Sequence, residues 1–318
     1  MSVGSDRELS QEDRDWLDAV RSTGSLEELR EITGADTDDE AYFTAKDRWY
    51  RLRDLELPTP ENIGLPGDTV TVDGQRFHVH GVTHTGSEEE RDHLGRHVDV
   101  FLGEGDDVYC EQGLWRLYFL DQPEVYEVDD YDWAGERCRS EEVCDRLKGE
   151  DVSDVLTRGF DAVAEEAEDV LDVVRDRLFS AVDAGETVYG ERVADALGDS
   201  LSCLLSDPTA LARGDDFQAY RLSRDAARDP SRLGELQRYY KRRFLPQPLE
   251  REWLWSHAPE VEVFTHARNE RIADFVVYDA EQPDVHVVVG AAHQPGVVYY
   301  LERHAEGERS VEEFEPLG

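Results

Sequence analysis

The chain has 318 residues, 39% of them hydrophobic, which is enough to bury a substantial core in one large domain or one domain with an appendage. Its 74 acidic and 34 basic residues give a formal net charge of -40, but six Trp, eleven Phe and thirteen Tyr exclude a disordered acidic chain. This acidity disfavours non-specific binding to nucleic acid or anionic membranes. The chain has only three lysines, which are Lys46, Lys148 and Lys241. This acidic, lysine-poor composition looks like that of a halophilic archaeal protein.

The N-terminal segment, residues 1–15, is polar and charged and lacks the apolar core of a signal peptide. No stretch elsewhere reaches the roughly 20 apolar residues that span a bilayer. We therefore expect a cytoplasmic protein without a membrane anchor.

Residues 1–62 are predicted to form an N-terminal helical module. Ser10, Ser25 and Thr37 each open a helical pattern, and the last two have a glutamate three residues later, the spacing of a capping box. Prolines that follow Leu57 close the third helix.

The third predicted helix, residues 40–54, gives the module a faint resemblance to a helix-turn-helix segment. Its arginines are Arg48, Arg51 and Arg53. Because Asp47 and Asp54 lie among them, the helix lacks the basic face that binds phosphates. DNA is therefore a less favoured partner. The preferred interpretation of the module is a helical cap or a module for homo-oligomer formation.

Residues 63–318 are predicted to form an α/β domain with a central mixed or parallel sheet. Alternating residues 69–72 and 76–80 flank Asp73-Gly74, which is the pattern of a hairpin. A helix over 88–102 and a strand over 107–111 follow, and strand, helix, strand predicts a parallel βαβ pair. Glu111 would then end beside His84.

A large helical insertion is predicted at about residues 140–255, with residues 161–182 as its clearest amphipathic helix. Sheet character is predicted to return at Val261–Phe264. A helix from about His266 to Ala280 and a strand over Val285–Val289 complete the domain.

Two segments about two hundred residues apart end alike. They read Val79-His80-Gly81-Val82-Thr83-His84 and Val288-Val289-Gly290-Ala291-Ala292-His293. An apolar, β-branched run predicts a buried strand, and the glycines Gly81 and Gly290 let the backbone turn or approach a ligand closely. Ligands collect outside the carboxyl ends of strands in open α/β sheets, so His84 and His293 are predicted to face one cleft.

These motifs, taken with two others in chain order, resemble the TraB/PrgY/GumN family. Members show a strand leading into Gly-x-x-His, a strand ending in glutamate, an Arg-Asn pair in a helix, and a second strand with Gly-x-x-His. The corresponding residues here are His84, Glu111, Arg268-Asn269 and His293. The resemblance covers roughly residues 66–125 and 258–304.

The family belongs to a wider group that includes the Tiki proteases, which are metal-dependent, and is similar to erythromycin-esterase and ChaN-like proteins. The resemblance thus implies a metal-dependent hydrolase of peptides or other small substrates. His84, His293 and Glu111 would bind a divalent ion such as Mn, Co or Zn, a ligand set that also suits an ion-activated water. Glu111 could instead be the base, Arg268 would stabilise an oxyanion, and Asn269 would donate or orient.

A second interpretation belongs to another class. A lone histidine after a strand is more often a structural group, and Arg268 could simply pair with Glu262 or Glu270. The chain would then be a non-catalytic ligand-binding or regulatory protein on the same fold.

Overall fold

The computed structural model describes residues 8–60, 64–139, 218–257, 259–312 and 314. Its first three helices are α1 (Gln11–Arg21), α2 (Leu26–Thr33) and α3 (Asp38–Glu56). As predicted, the side chains of Ser10, Ser25 and Thr37 each accept a hydrogen bond from the amide three residues on, which satisfies one of the free N–H groups of the first turn.

The described residues contain a sheet of five strands. They are β1 (Asp68–Val72), β2 (Gln75–Val82), β3 (Asp107–Glu111), β4 (Val125–Val128) and β5 (Asp284–Gly290). The spatial order is β1-β2-β5-β3-β4, and only the hairpin pair β1–β2 is antiparallel. Asp73 and Gly74 both have positive φ, the geometry of a tight hairpin turn. The predicted α/β class with a mixed sheet is confirmed.

The predicted direct pairing of β2 with β3 is wrong, because β5 lies between them. The physical reason is the composition of β5. Its valines are fully buried on both faces of the sheet, and such an unbroken apolar run is typical of a central strand of a parallel sheet. β2, β5 and β3 therefore end side by side at one edge of the sheet.

The remaining helices connect and cover these strands. They are α4 (Glu88–Glu104), α5 (Gln112–Tyr118), α6 (Tyr131–Arg139), α7 (Gln218–Arg228), α8 (Leu233–Arg243), α9 (Gln247–His257), α10 (Pro259–Glu262), α11 (Arg268–Asp279) and α12 (Gln294–Ala305). The part of the predicted insertion within 218–257 is helical. Residues 140–217, with the helix predicted over 161–182, lie outside the described residues. None of the described helices is long and apolar enough to cross a membrane.

The predicted strand at Val261–Phe264 is wrong. This segment passes from α10 into a π-helical turn, Val263–Ala267, that leads directly into α11. All five residues of the turn are buried, so its apolar residues, Val263, Phe264 and Ala267, reflect burial rather than a strand. A short apolar run of this kind does not distinguish a buried strand from a buried helix.

Helices cover both faces of the sheet. On one face the core forms between the sheet and α11 and α12, and on the other between the sheet and α4, α7 and α8. The N-terminal helices pack on α9, where the rings of Tyr42 and Trp253 stack at 4.5 Å. Beside them, the buried Lys46 ammonium lies 2.7 Å from the Glu250 carboxylate.

The arginines of α3 bear on the DNA-binding alternative. Arg48 pairs with Asp13 at 3.2 Å and stacks over Trp16, while Arg53 pairs with Glu56. Carboxylate partners within the chain thus occupy two of the three arginines on which binding to phosphates would depend, and the third, Arg51, donates to the backbone oxygen of Asp47 at 3.2 Å.

Candidate functional site

Three of the predicted site residues meet at the carboxyl edge of the sheet. His84 follows β2, Glu111 ends β3 and His293 follows β5. The Glu111 carboxylate lies 3.9 Å from Nε2 of His84 and 3.7 Å from Nε2 of His293. All three side chains are buried. Because β5 lies between β2 and β3, the adjacent carboxyl ends of these strands bring residues far apart in the sequence into one compact cluster.

The two predicted glycines allow this close approach. A Cβ on Gly290 would lie only 2.1 Å from Nε2 of His84, well inside van der Waals contact. A Cβ on Gly81 would lie 2.8 Å from the side-chain oxygen of Gln294. The absence of a Cβ at Gly290 therefore lets the His84 imidazole lie over the end of β5.

Arg268 joins two carboxylates at the centre of the cluster. Its Nη2 donates to Glu111 at 2.6 Å, and its Nε donates to Asp130 at 2.6 Å. The Tyr131 ring lies 3.6 Å from the guanidinium carbon, and the arginine is fully buried. The alternative pairing of Arg268 with Glu262 or Glu270 is not what the structure contains, since both of those glutamates pair with Arg251.

The buried charges do not balance. Two carboxylates share one guanidinium, which leaves an excess negative charge when both are ionised. Burial, with the nearby Glu111 charge, outweighs the effect of Arg268 and raises the pKa of Asp130 to about 7. Burial acts in the same direction on Glu111, but charge interactions with His293 and with Arg268, together with the Gly290 amide, lower its pKa well below the ordinary value. Asp130 is thus where the excess charge is relieved.

Both histidines are neutral at pH 7 in this environment. Burial lowers the pKa of His293 to about 3 and also lowers that of His84, and the positive Arg268 acts in the same direction on both. A neutral imidazole has one nitrogen with a free lone pair, and this is the form that binds metal ions.

Hydrogen bonds determine which ring nitrogen of His293 carries no proton. Its Nδ1 lies 2.7 Å from Oδ1 of Asn269, and Nδ2 of Asn269 donates to Gln247 at 2.9 Å. Because Asn269 uses its amide N–H toward Gln247, its oxygen accepts from Nδ1–H of His293. Nε2 of His293 is left with a lone pair, 3.7 Å from Glu111, that accepts from Nη1 of Arg268 at 3.5 Å. Nε2 of His84 has no hydrogen-bond partner among the described residues.

Several residues of the site were not predicted. Asp130 and Tyr131 follow β4, so the same rule that selected Glu111 would have found them had this short strand been recognised. Gln247 carries no signal in the sequence. Gly296, in the first turn of α12, makes room for Asn269, because a Cβ there would lie 2.0 Å from Nδ2 of Asn269.

The side chains of the cluster are of the types that bind a divalent ion. Neutral imidazole and ionised carboxylate are ligands that such ions prefer. The separations of 3.7 and 3.9 Å exceed the roughly 3–3.4 Å expected between donors that lie about 2.1 Å from one ion. Accordingly, no three His, Cys, Asp or Glu side chains within the described ranges lie close enough together to hold a metal ion as they stand. The cluster fits an ion in donor type and proton state and requires a contraction of about half an ångström.

Comparison with known proteins gave no match, whether to family models, to curated proteins or to solved structures.

Proposed function

We propose that this chain is a hydrolase that depends on a divalent metal ion and acts on peptides. The observation that carries the proposal is the meeting of His84, His293 and Glu111 at the ends of three adjacent parallel strands. Both imidazoles present Nε2 toward the same carboxylate, and Nε2 of His293 also accepts from Nη1 of Arg268 at 3.5 Å. The three side chains are a two-histidine, one-carboxylate ligand set that leaves coordination positions for other ligands.

The charge of the cluster supports a cation at this position. Two carboxylates and one guanidinium leave an excess of one negative charge, and burying an unbalanced charge is costly. A divalent ion held by His84, His293 and Glu111 would add two positive charges, which would outweigh the excess negative charge and favour the ionised form of Asp130.

The residues of the chain have separate roles in this proposal. When bound, the ion would supply a water that ionises near neutral pH and would polarise a carbonyl group. Arg268 holds Glu111 in place, and its Nη1, 3.5 Å from Nε2 of His293, keeps positive charge where an oxyanion would form. Asn269 holds His293 in the tautomer whose Nε2 carries no proton.

The choice of peptides as substrates rests on the resemblance to the TraB/PrgY/GumN family and its metal-dependent relatives. Burial favours a second candidate function, a non-catalytic binding protein. Glu111, Arg268 and His293 are completely buried, and His84 retains only 6% exposure. A site closed to this degree suits an ion or a very small ligand, and a peptide must reach it past His84.

Gly290→Ala tests the proposed function, because the new Cβ would displace the His84 imidazole without changing any ligand. We expect wild type supplied with Mn, Co or Zn to cleave members of a peptide library followed by mass spectrometry. The Gly290→Ala variant should be slowed at least about 100-fold, the order of effect of a misplaced catalytic group.

Gly95→Ala is the matched control. Gly95 lies in α4, and a Cβ there would meet nothing within 4 Å, so this variant should retain wild-type turnover. Turnover by Gly290→Ala equal to that of Gly95→Ala would contradict the assignment of His84. No cleavage by wild type with any of the three metals would favour the binding protein.

A further inference from the structure

A buried glutamate outside the ligand set lies behind His84. Glu90 is in the first turn of α4 and is fully buried, although Glu88 and Glu89 beside it are exposed. No arginine or lysine pairs with Glu90 among the described residues, so its carboxyl group is surrounded by neutral hydrogen-bond partners alone. Burying an acidic side chain without a counter-charge is costly and calls for a specific role.

Nearly all of those donors belong to the loop that carries His84. One oxygen of Glu90 accepts from the amide of Thr83 at 2.7 Å, and the other accepts from the Thr83 hydroxyl at 2.5 Å. The Thr85 hydroxyl lies 3.4 Å from the same oxygen and 2.9 Å from that of Thr83. The carboxylate thus holds both residues that flank His84.

Tyr118 completes this arrangement from α5. Its hydroxyl donates to Glu90 and accepts from the amide of Gly86 at 2.9 Å. Gly86 has a φ of 61°, so the backbone reverses sharply just after His84. Glu90 and Tyr118 together hold the loop on both sides of the histidine.

The other capping boxes of the chain provide an internal comparison. Glu28 and Glu40 occupy the same helical position as Glu90, three residues after the N-cap. Their carboxylates accept from the amides of Gly24 and Asp36, each just before the cap. Glu90 instead extends beyond its cap, Ser87, to the loop of His84. An ordinary capping role therefore does not account for it.

We propose that Glu90 is a positioning residue that fixes the His84 imidazole over Gly290 and thereby sets the affinity of the site for a divalent ion. The part that concerns metal affinity rests on the proposed function. Residues that orient a ligand from behind typically change metal affinity by about 10–100-fold when replaced.

Glu90→Gln is the variant that tests this inference, with Glu89→Gln as its matched control on the exposed side of the same turn. The glutamine keeps the shape but places an N–H₂ group against donors. We expect titration of metal-free protein with Mn, Co or Zn to give a Kd about 10–100-fold weaker for Glu90→Gln and unchanged for Glu89→Gln. Tyr118→Phe, which removes one donor and keeps the carboxylate, should weaken the Kd about 3-fold or more.

A second measurement does not require metal. In the imidazole ¹H–¹⁵N spectrum of metal-free protein, with the His84 signals assigned through His84→Ala, we expect the single His84 set to be lost or doubled in Glu90→Gln. Glu89→Gln should leave it unchanged. An unchanged His84 signal in folded Glu90→Gln, or a lowered thermal midpoint with an unchanged Kd, would overturn the positioning role. If wild type binds no metal but the His84 signal differs between wild type and Glu90→Gln, only the proposed function would be overturned.

Discussion

Replacement of Arg268 by methionine is expected to lower the free energy of unfolding by about 3–5 kcal/mol, a large share of the stability of a typical domain. The side chain is completely buried and donates to both Glu111 and Asp130. Without it, two carboxylates would remain buried with no counter-charge. Chemical denaturation at pH 8 measures the change.

Arg271→Met is the matched control on the same helix, α11. Arg271 donates to the backbone oxygen of Asp129 at 3.1 Å and is half-buried, so its loss should cost about 1 kcal/mol or less. Adding Asp130→Asn to Arg268→Met should restore part of the lost stability, because it removes one unpaired charge. Equal losses for Arg268→Met and Arg271→Met would show that the buried pairs have no special role.

The second large effect concerns pH and His266, in the π-helical turn before α11. Burial, assisted by the positive charges of Lys46 and Arg251, lowers the pKa of His266 to about 3. The side chain is 1% exposed, its Nδ1 lies 3.2 Å from Gln247, and the Phe244 ring meets it edge-on. The folded protein therefore holds this imidazole in its neutral form.

The sign of the effect follows from linkage. A histidine whose folded pKa is depressed contributes stability that is fully present above its unfolded pKa, near 6.5, and is lost as the pH falls toward the folded value. At pH 4.5, about two pH units below 6.5, the loss amounts to about 2–3 kcal/mol. His266→Gln removes this term. We therefore expect its stability relative to wild type to rise by about that amount between pH 7.5 and pH 4.5.

Only the difference between variant and wild type isolates His266. Burial raises the pKa of Glu90 and of Asp130 to about 7, and both groups make the folded protein less stable as the pH rises through that region. His97→Gln is the control, since His97 is only partly buried, and its gap to wild type should change by less than about 1 kcal/mol. A constant His266→Gln gap across the pH range would show that His266 is not held neutral. High salt should be kept constant throughout because the chain carries a net charge of -40.

Local signals in the sequence predicted most individual elements. The three N-terminal caps, the Asp73-Gly74 hairpin and the strand predicted over 285–289 depend on nearby residues, and the structure contains all of them, with the strand at 284–290. The order of the strands depends on packing across the whole sheet. Local pattern predicted that β2 and β3 pair, whereas complete burial of β5 requires the central place.

The residues of the candidate site also differ in whether the local sequence predicts them. His84, Glu111 and His293 could be predicted because each follows an apolar strand, and strand ends meet at one edge. Asp130 was missed because β4 has only four residues. Gln247 and Glu90 act through hydrogen bonds to residues 22 and 7 positions away, and such contacts leave no pattern in the sequence.

The proposed function requires that one divalent ion binds at His84 and His293. Elemental analysis of protein purified in high salt and equilibrated with Mn, Co or Zn measures this binding, with His84→Ala and His293→Ala prepared in parallel. We expect about one bound ion per wild-type chain and a loss of that ion in both variants. Wild type without metal, or either folded variant with a full complement, would contradict the proposed function.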